Sequence, residues 1–185
     1  MRFDSLEYLD QWQREGRYPA IHDEMFAVVT SRVVGRRYLD LCCSTGLLGQ
    51  RIAAKAWAET VVGVDGDNGA LQAGKDAGIN VPLIHLAITD TTMDQLGDLI
   101  RQHGLTVMLA RRCLPELSDG DPERAKRLLA ITAKAGITEI VVQGRDVSRR
   151  TTHVLGSIER EIAVIEPFFA VKWKGGQMAY GRRRA

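Results

Sequence analysis

The sequence predicts an α/β protein of three layers: a mostly parallel, seven-stranded sheet between helices, finished by an antiparallel hairpin. Three observations carry this expectation. Short apolar runs alternate with segments of helical periodicity from Arg37 onward. Two of the early runs reach a carboxylate, Tyr38-Leu39-Asp40 and Val61-Val62-Gly63-Val64-Asp65. Near the C-terminus two further runs flank Gly175-Gly176, a hairpin signal. A chain of 185 residues suits one domain, with residues 1–35 as an N-terminal helical cap and 36–185 as the core.

Taken in order, Asp4 to Glu15 reads as a helix, because Asp4 and Glu7 stand in capping-box positions and Leu6, Leu9 and Trp12 share a face. Gly16 to Pro19 breaks it. A second helix runs from His22 to Val34 on Phe26, Val29 and Val33, and Gly35 ends it. Leu48, Ile52 and Ala56 predict a helix after the first strand, and Asn68 to Ala77 another, closed by Gly78. The third strand is Val81 to Leu86, with Pro82 favouring an outer position. Met93 to His103 is helical and leads into a fourth strand, Leu105 to Leu109. Asp121-Pro122-Glu123 is a helix start, an N-cap with proline in the first turn, and Gly136 is its stop. Ile137 to Val142 makes the fifth strand and His153 to Ile165 the last helix; Phe168 to Trp173 and Gln177 to Gly181 form the hairpin.

Between the first strand and its helix lies Cys42-Cys43-Ser44-Thr45-Gly46, a turn of small residues. Such a turn lets a ligand approach the backbone, and Gly46 has no Cβ in the way. The first amides of the following helix add a weakly positive end. Asp65 comes nineteen positions after Gly46, near the roughly 20-residue interval at which nucleotide-binding βαβ units set a carboxylate on ribose hydroxyls. One carboxylate accepts from both hydroxyls of the diol. Read alone, the loop is also compatible with an ordinary strand-to-helix connection; together the two motifs indicate a nucleotide or nucleoside site.

Asp40-Leu41-Cys42-Cys43-Ser44-Thr45-Gly46 resembles the first motif of class I S-adenosylmethionine-dependent methyltransferases, and the Asp65 segment resembles their second. The resemblance extends from about Arg37 to the C-terminus. It implies a Rossmann-like sandwich, S-adenosyl-L-methionine as cofactor and methyl transfer as the reaction. By the same resemblance Asp65, with Gly66 beside it, holds the ribose, and Cys42, Ser44, Thr45 and Gly46 wall the cofactor. Asp40 orders the methionine end, directly or through water. Asp90 is the candidate for the adenine amino group, since Ala87 and Ile88 occupy the places where an acid is first expected. Cys42 and Ser44 stand where the family usually has glycine. N-terminal helices in this family often cover the cofactor, which makes Tyr18 or Phe26 a candidate aromatic face for the sulfonium.

The acceptor side is read from Ala110-Arg111-Arg112-Cys113-Leu114-Pro115-Glu116-Leu117, beyond the carboxyl end of the fourth strand. It has neither the Asp-Pro-Pro-Tyr or Asn-Pro-Pro-Tyr of methyltransferases acting on base amino groups nor the Pro-Cys pair of cytosine C5 methylation. Arg111 and Arg112 are the candidate substrate contacts, because a guanidinium clamps carboxylate or phosphate with two parallel bonds. Arg145, Arg149 and Arg150 extend this rim, and His153 is the candidate base. The acceptor is therefore read as an anionic small molecule or a nucleic acid. Two alternatives stand beside methyl transfer. One is a non-catalytic binding module. The other is an NAD(P)-dependent oxidoreductase, since Ser44-Thr45-Gly46-Leu47-Leu48-Gly49 matches the dinucleotide fingerprint with serine for its first glycine.

A composition of 45% hydrophobic and 26% charged residues is ordinary for a soluble globular protein. No apolar run approaches the roughly 20 residues of a membrane span, and Met1 to Glu7 is too acidic for a signal peptide. A cytoplasmic location and no membrane partner are expected. Three cysteines, two of them adjacent, give no disulfide framework, and the four histidines show no metal-ligand spacing, so no metal is expected. Residues 1–92 carry nine Lys or Arg against twelve Asp or Glu, and 93–185 sixteen against eleven, so the basic excess lies in the second half. Arg182-Arg183-Arg184 reads as a solvated tail able to add salt-dependent affinity near phosphates.

Overall fold

The computed structural model describes residues 22–55, 57–144 and 157–184. Within them, seven strands form one sheet: β1 (Arg37–Leu41), β2 (Thr60–Asp65), β3 (Leu83–His85), β4 (Val107–Arg111), β5 (Glu139–Gln143), β6 (Phe169–Gly175) and β7 (Met178–Arg183). Their order is β3-β2-β1-β4-β5-β7-β6. The first five are parallel, and β7 inserts antiparallel between β5 and β6. The helices are α1 (Asp23–Arg32), α2 (Leu47–Ala53), α3 (Asn68–Asp76), α4 (Met93–His103), α5 (Leu114–Leu117), α6 (Pro122–Ala135) and α7 (Ile158–Ile165). The expected architecture is present, β3 at an outer edge included. The expected helix from Asp4 to Glu15 lies outside the described residues, and the last helix starts later than His153, at Ile158, because Ser157 is extended and caps it, its hydroxyl accepting from Arg160 N–H.

Strand alternation divides the core into two layers. Leu39, Leu41, Val62, Val64, Met108 and Ile140 face α4, α6 and α7. Tyr38, Val61, Val107, Leu109 and Val141 face α1 and α2. Both faces of the parallel strands are thus covered, which is why these strands are nearly continuous in apolar residues.

Two strand starts differ from expectation for one physical reason. Leu105 and Ile137 belong to helix ends, not to strands. After α4, Gly104 takes φ 57° and Leu105 N–H bonds to Ile100 O at 2.9 Å. After α6, Gly136 takes φ 136° and Ile137 N–H bonds to Thr132 O at 3.1 Å. In each, the residue past the glycine closes a Schellman cap and buries its side chain against the helix. The pairing of Arg111 with Gln143 then carries β4 and β5 further than apolarity suggested. The β6–β7 turn is one residue later than expected, at Gly176-Gln177, because Gly175 pairs with Met178. Arg182 and Arg183 lie in β7 and are not a solvated tail.

Three arginines tie strand ends to helix ends. Arg37 donates to His103 O at the end of α4 (2.6 Å), Arg183 to Ala133 O in α6 (3.0 Å), and Arg184 to Glu166 O just past α7 (2.6 Å). Each supplies a cation and a donor at the negative end of a helix.

Candidate active site

β1 and β2 deliver their carboxylates to the same edge of the sheet. Asp65 connects the two motifs: its Oδ2 accepts from Ser44 N–H at 2.8 Å and its Oδ1 from Asp67 N–H at 2.9 Å. Each oxygen keeps lone-pair capacity for a further donor. Burial pushes the Asp65 carboxyl up, against the bonds from Asp67 and Ser44. Asp40 is buried, and its Oδ2 accepts from Gly49 N–H at 3.1 Å. Burial raises it to about 7, opposed by the Gly49 bond and the Arg111 charge.

The loop backbone explains why glycine suits this turn. Cys42 and Ser44 both sit in the left-handed region, at φ 55° and 54°, as does Gly46 at 80°. The backbone at the first two positions is held there, without glycine, by Cys43 N–H to Val64 O (3.1 Å), Ser44 N–H to Asp65 and Gly46 N–H to Cys43 O (2.9 Å). The close approach at Gly46 is to the protein itself. A Cβ there would lie 2.6 Å from Leu83 Cδ2. Thr45 is buried with its carbonyl against α3, where a Cβ on Gly74 would fall 2.2 Å from Thr45 O. Thr45 and Gly46 therefore wedge the loop against β3 and α3, a packing role distinct from ligand approach.

Beyond β3, a Cβ on Gly66 would meet Ala87 Cα at 3.3 Å, and the His85 ring Nε2 lies 3.1 Å from Gly66 O. Asp90 is exposed and paired with Arg124 and Arg127 of α6, each at 3.3 Å. Phe26 has its face taken by the chain's own cations, with Arg51 at 4.8 Å and Lys55 at 5.4 Å from the ring centroid. Tyr18, Arg145, Arg149, Arg150 and His153 lie outside the described residues.

Arg111 ends β4 beside Asp40. It lines a cavity of about 20 Å³ together with His22, Asp40, Cys42, Ser44 and Leu48. Its Nη1 is buried without a hydrogen-bond partner. Arg112 takes φ 57°, and its N–H donates to Gln143 O at 2.8 Å. The Cys113 thiol is pushed up by its hydrogen bond with Cys42 and by burial, and its Sγ faces Leu41 O at 3.7 Å, so it is a protonated core thiol and not a nucleophile. His22 was not singled out by the sequence, yet it roofs the cavity from the start of α1. Burial and the charges of Arg111 and Arg51 lower it to about 3, so it is neutral at physiological pH. Gln143 reaches α1 as well, donating to Glu24 Oε2 at 3.2 Å. No local pattern announces either contact, since both join residues far apart in the chain. Among the described residues no group of His, Cys, Asp and Glu is placed to hold a metal ion.

This carboxylate-lined edge, in a sheet of order β3-β2-β1-β4-β5-β7-β6, is the Rossmann-like fold of class I S-adenosylmethionine-dependent methyltransferases. No protein-family model and no curated protein sequence matches the chain. Solved structures do match it. Magnesium protoporphyrin IX methyltransferase (ChlM) from Synechocystis PCC 6803, crystallised with bound SAM, aligns with a TM-score of 0.60 at 12% identity, over 89% of this chain and 79% of that one. The methyltransferase domain of bacterial CtHen1-C gives 0.63 at 15% identity, over 88% and 96%. PH0226 protein from Pyrococcus horikoshii OT3 gives 0.64 at 14%, over 90% and 91%. At such identities the shared property is the fold.

Proposed function

We propose that this protein is an S-adenosylmethionine-dependent methyltransferase, acting on an anionic small molecule or a nucleic acid, with 1–35 as a cap over a core of 36–185. The observation that carries the reading is Asp65: a carboxylate fixed by Ser44 N–H and Asp67 N–H at the edge where β1 and β2 end. That arrangement presents two oxygens to a vicinal diol without further ordering. Gly66 beside it leaves a narrow place against Ala87. Asp40 and the Arg111 Nη1, side by side at the small cavity, suit the ammonium and carboxylate of an amino acid. The donor chemistry fits the cofactor. The volume, about 20 Å³, holds about one water. No helix among the described residues is long and apolar enough to cross a membrane; a cytoplasmic location belongs to this proposal.

The bound cofactor supplies an activated methyl group on a sulfonium. What the protein adds is placement. Holding an acceptor in line is worth up to roughly 7 to 11 kcal/mol; in this reading Arg112 at the end of β4, next to the Arg111 that meets the cofactor, anchors an anionic acceptor. His22, lowered to about 3, is a poor proton acceptor and serves as roof.

Calorimetric titration with S-adenosylmethionine tests the site. Each hydrogen bond to a charged acceptor is worth about 1.5–3 kcal/mol, so Asp65→Ala weakens binding by about two to four powers of ten. Absence of heat at millimolar methyl donor, or NADH binding in its place, overturns the proposal. Production of S-adenosylhomocysteine with a panel of acceptors then separates catalysis from binding alone.

A further inference from the structure

The sheet edge opposite Asp40 and Asp65 holds a second concavity that methyl transfer does not use. The starts of β4 and β5 and the end of β7 border a groove of about 580 Å³, lined by Thr106, Thr138, Glu139 and the arginines at 182, 183 and 184. It shares Val34 and Gly35 with an adjoining hollow of about 170 Å³ closed by Arg36 and Trp57. The two adjoin at these residues, as a surface channel with a side hollow.

Its charge is positive and fixed in place. Arg183 and Arg184 are exposed, and each has donated to a backbone carbonyl, Ala133 O and Glu166 O. A carbonyl orients a guanidinium without cancelling its charge, and the remaining N–H donors stay available. Glu139, the one carboxylate among the described residues that line the groove, is 5% exposed and already occupied. It accepts from Val34 N–H (3.2 Å), Gly35 N–H, the Tyr180 hydroxyl and Arg182 Nε (3.2 Å). Among the described residues Arg36 faces Glu59 at 3.9 Å, both more than half exposed, a pairing of little strength. At the other end, the half-buried Trp57 ring is braced edge-on by Tyr38, with centroids 5.8 Å apart at 60°.

We propose that this channel docks single-stranded nucleic acid, with phosphates on Arg36, Arg183 and Arg184 and a base against Trp57. Preoriented guanidinium forks at one end and an aromatic ring at the other are the two elements that sequence-tolerant strand binding combines. A concave channel does not lie on a flat bilayer, and an acidic peptide leaves the indole without a matching group. The proposal is independent of the methyl-transfer reading.

Anisotropy titration of a fluorescein-labelled 20-nucleotide RNA against the full chain, at 50 and 200 mM salt, tests it. The wild type binds, more weakly at the higher salt. Arg36→Gln with Arg184→Gln lowers affinity about tenfold, and the log K against log salt slope becomes shallower by about 1.4, at roughly 0.7 per phosphate contact on a single strand. Arg36→Gln alone, which touches no buried group, gives about a threefold loss, so the result stands even if the Arg184 variant is unstable. Asp65→Ala binds RNA as the wild type does, which separates this site from the cofactor edge. No RNA binding, RNA binding indifferent to Arg36 and Arg184, or equal binding of polyglutamate or phosphatidylserine vesicles overturns the proposal.

Discussion

Replacing Asp40 by asparagine turns the burial of a carboxylate into a measurable change in stability. Asp40 moves from an ordinary 3.8 when exposed to about 7 in the fold, chiefly through burial. The folded state therefore holds its proton where the unfolded chain has lost it. Between those values stability falls as pH rises, and above pH 7 the full penalty of about 4 kcal/mol is present, at 1.36 kcal/mol per pH unit. Below the unfolded value it vanishes. Asparagine carries no charge, and its Oδ1 can still accept from Gly49 N–H, while its new buried amide donor costs about 1–3 kcal/mol at every pH. The difference in unfolding free energy, Asp40→Asn minus wild type, should therefore climb by about 4 kcal/mol from pH 4 to pH 8 in urea titrations. Taking the difference removes the contributions of other titrating groups. A difference that stays level within about 1 kcal/mol, or moves the other way, refutes the reasoning. The same variant should lose S-adenosylmethionine affinity, marking Asp40 as a group that lowers stability for the sake of binding.

His22 should act in the opposite sense. Its value drops from 6.5 to about 3, so its stabilising contribution is complete above pH 6.5 and is lost as acid protonates the unfolded chain; His22→Gln should gain on wild type by about 3 kcal/mol between pH 7 and pH 4, read from the same titrations. Ser44→Gly should stabilise by about 0.5–1 kcal/mol, because relief of a left-handed residue, about 1–2 kcal/mol, exceeds the added unfolded-state entropy of glycine; a lowered melting temperature would contradict that. Gly74→Ala brings a methyl within 2.2 Å of Thr45 O, and the forced shift of α3 should cost about 1–3 kcal/mol and weaken cofactor binding; thermal melts and calorimetry on the same preparation report both.

Much of the fold is local and was therefore readable in the sequence. The N-cap of α6 formed as its residues indicate, with the Asp121 side chain accepting from Glu123 N–H at 2.9 Å. Strand-end carboxylates and the small-residue turn marked the edge at which Asp40 and Asp65 meet. The glycine stops at 78 and 136 were read correctly, whereas the helix expected to run to Gly35 ends at Arg32 with Val33 already extended; Leu105 and Ile137 are as apolar as any strand residue, and only the Schellman geometry assigns them to helix ends.

The sequence by itself determined the order of elements, the faces they bury and the two acidic motifs, because periodicity, caps and turns act over a few residues. Tertiary structure alone decided the partners. It gave Asp90 to the arginines of α6, turned Gly46 toward Leu83, set His22 over Arg111 and brought Val34 and Gly35 to one groove with Arg182, Arg183 and Arg184. These outcomes depend on which surfaces come within a few ångströms once the sheet closes, and separation along the chain carries no information about that distance.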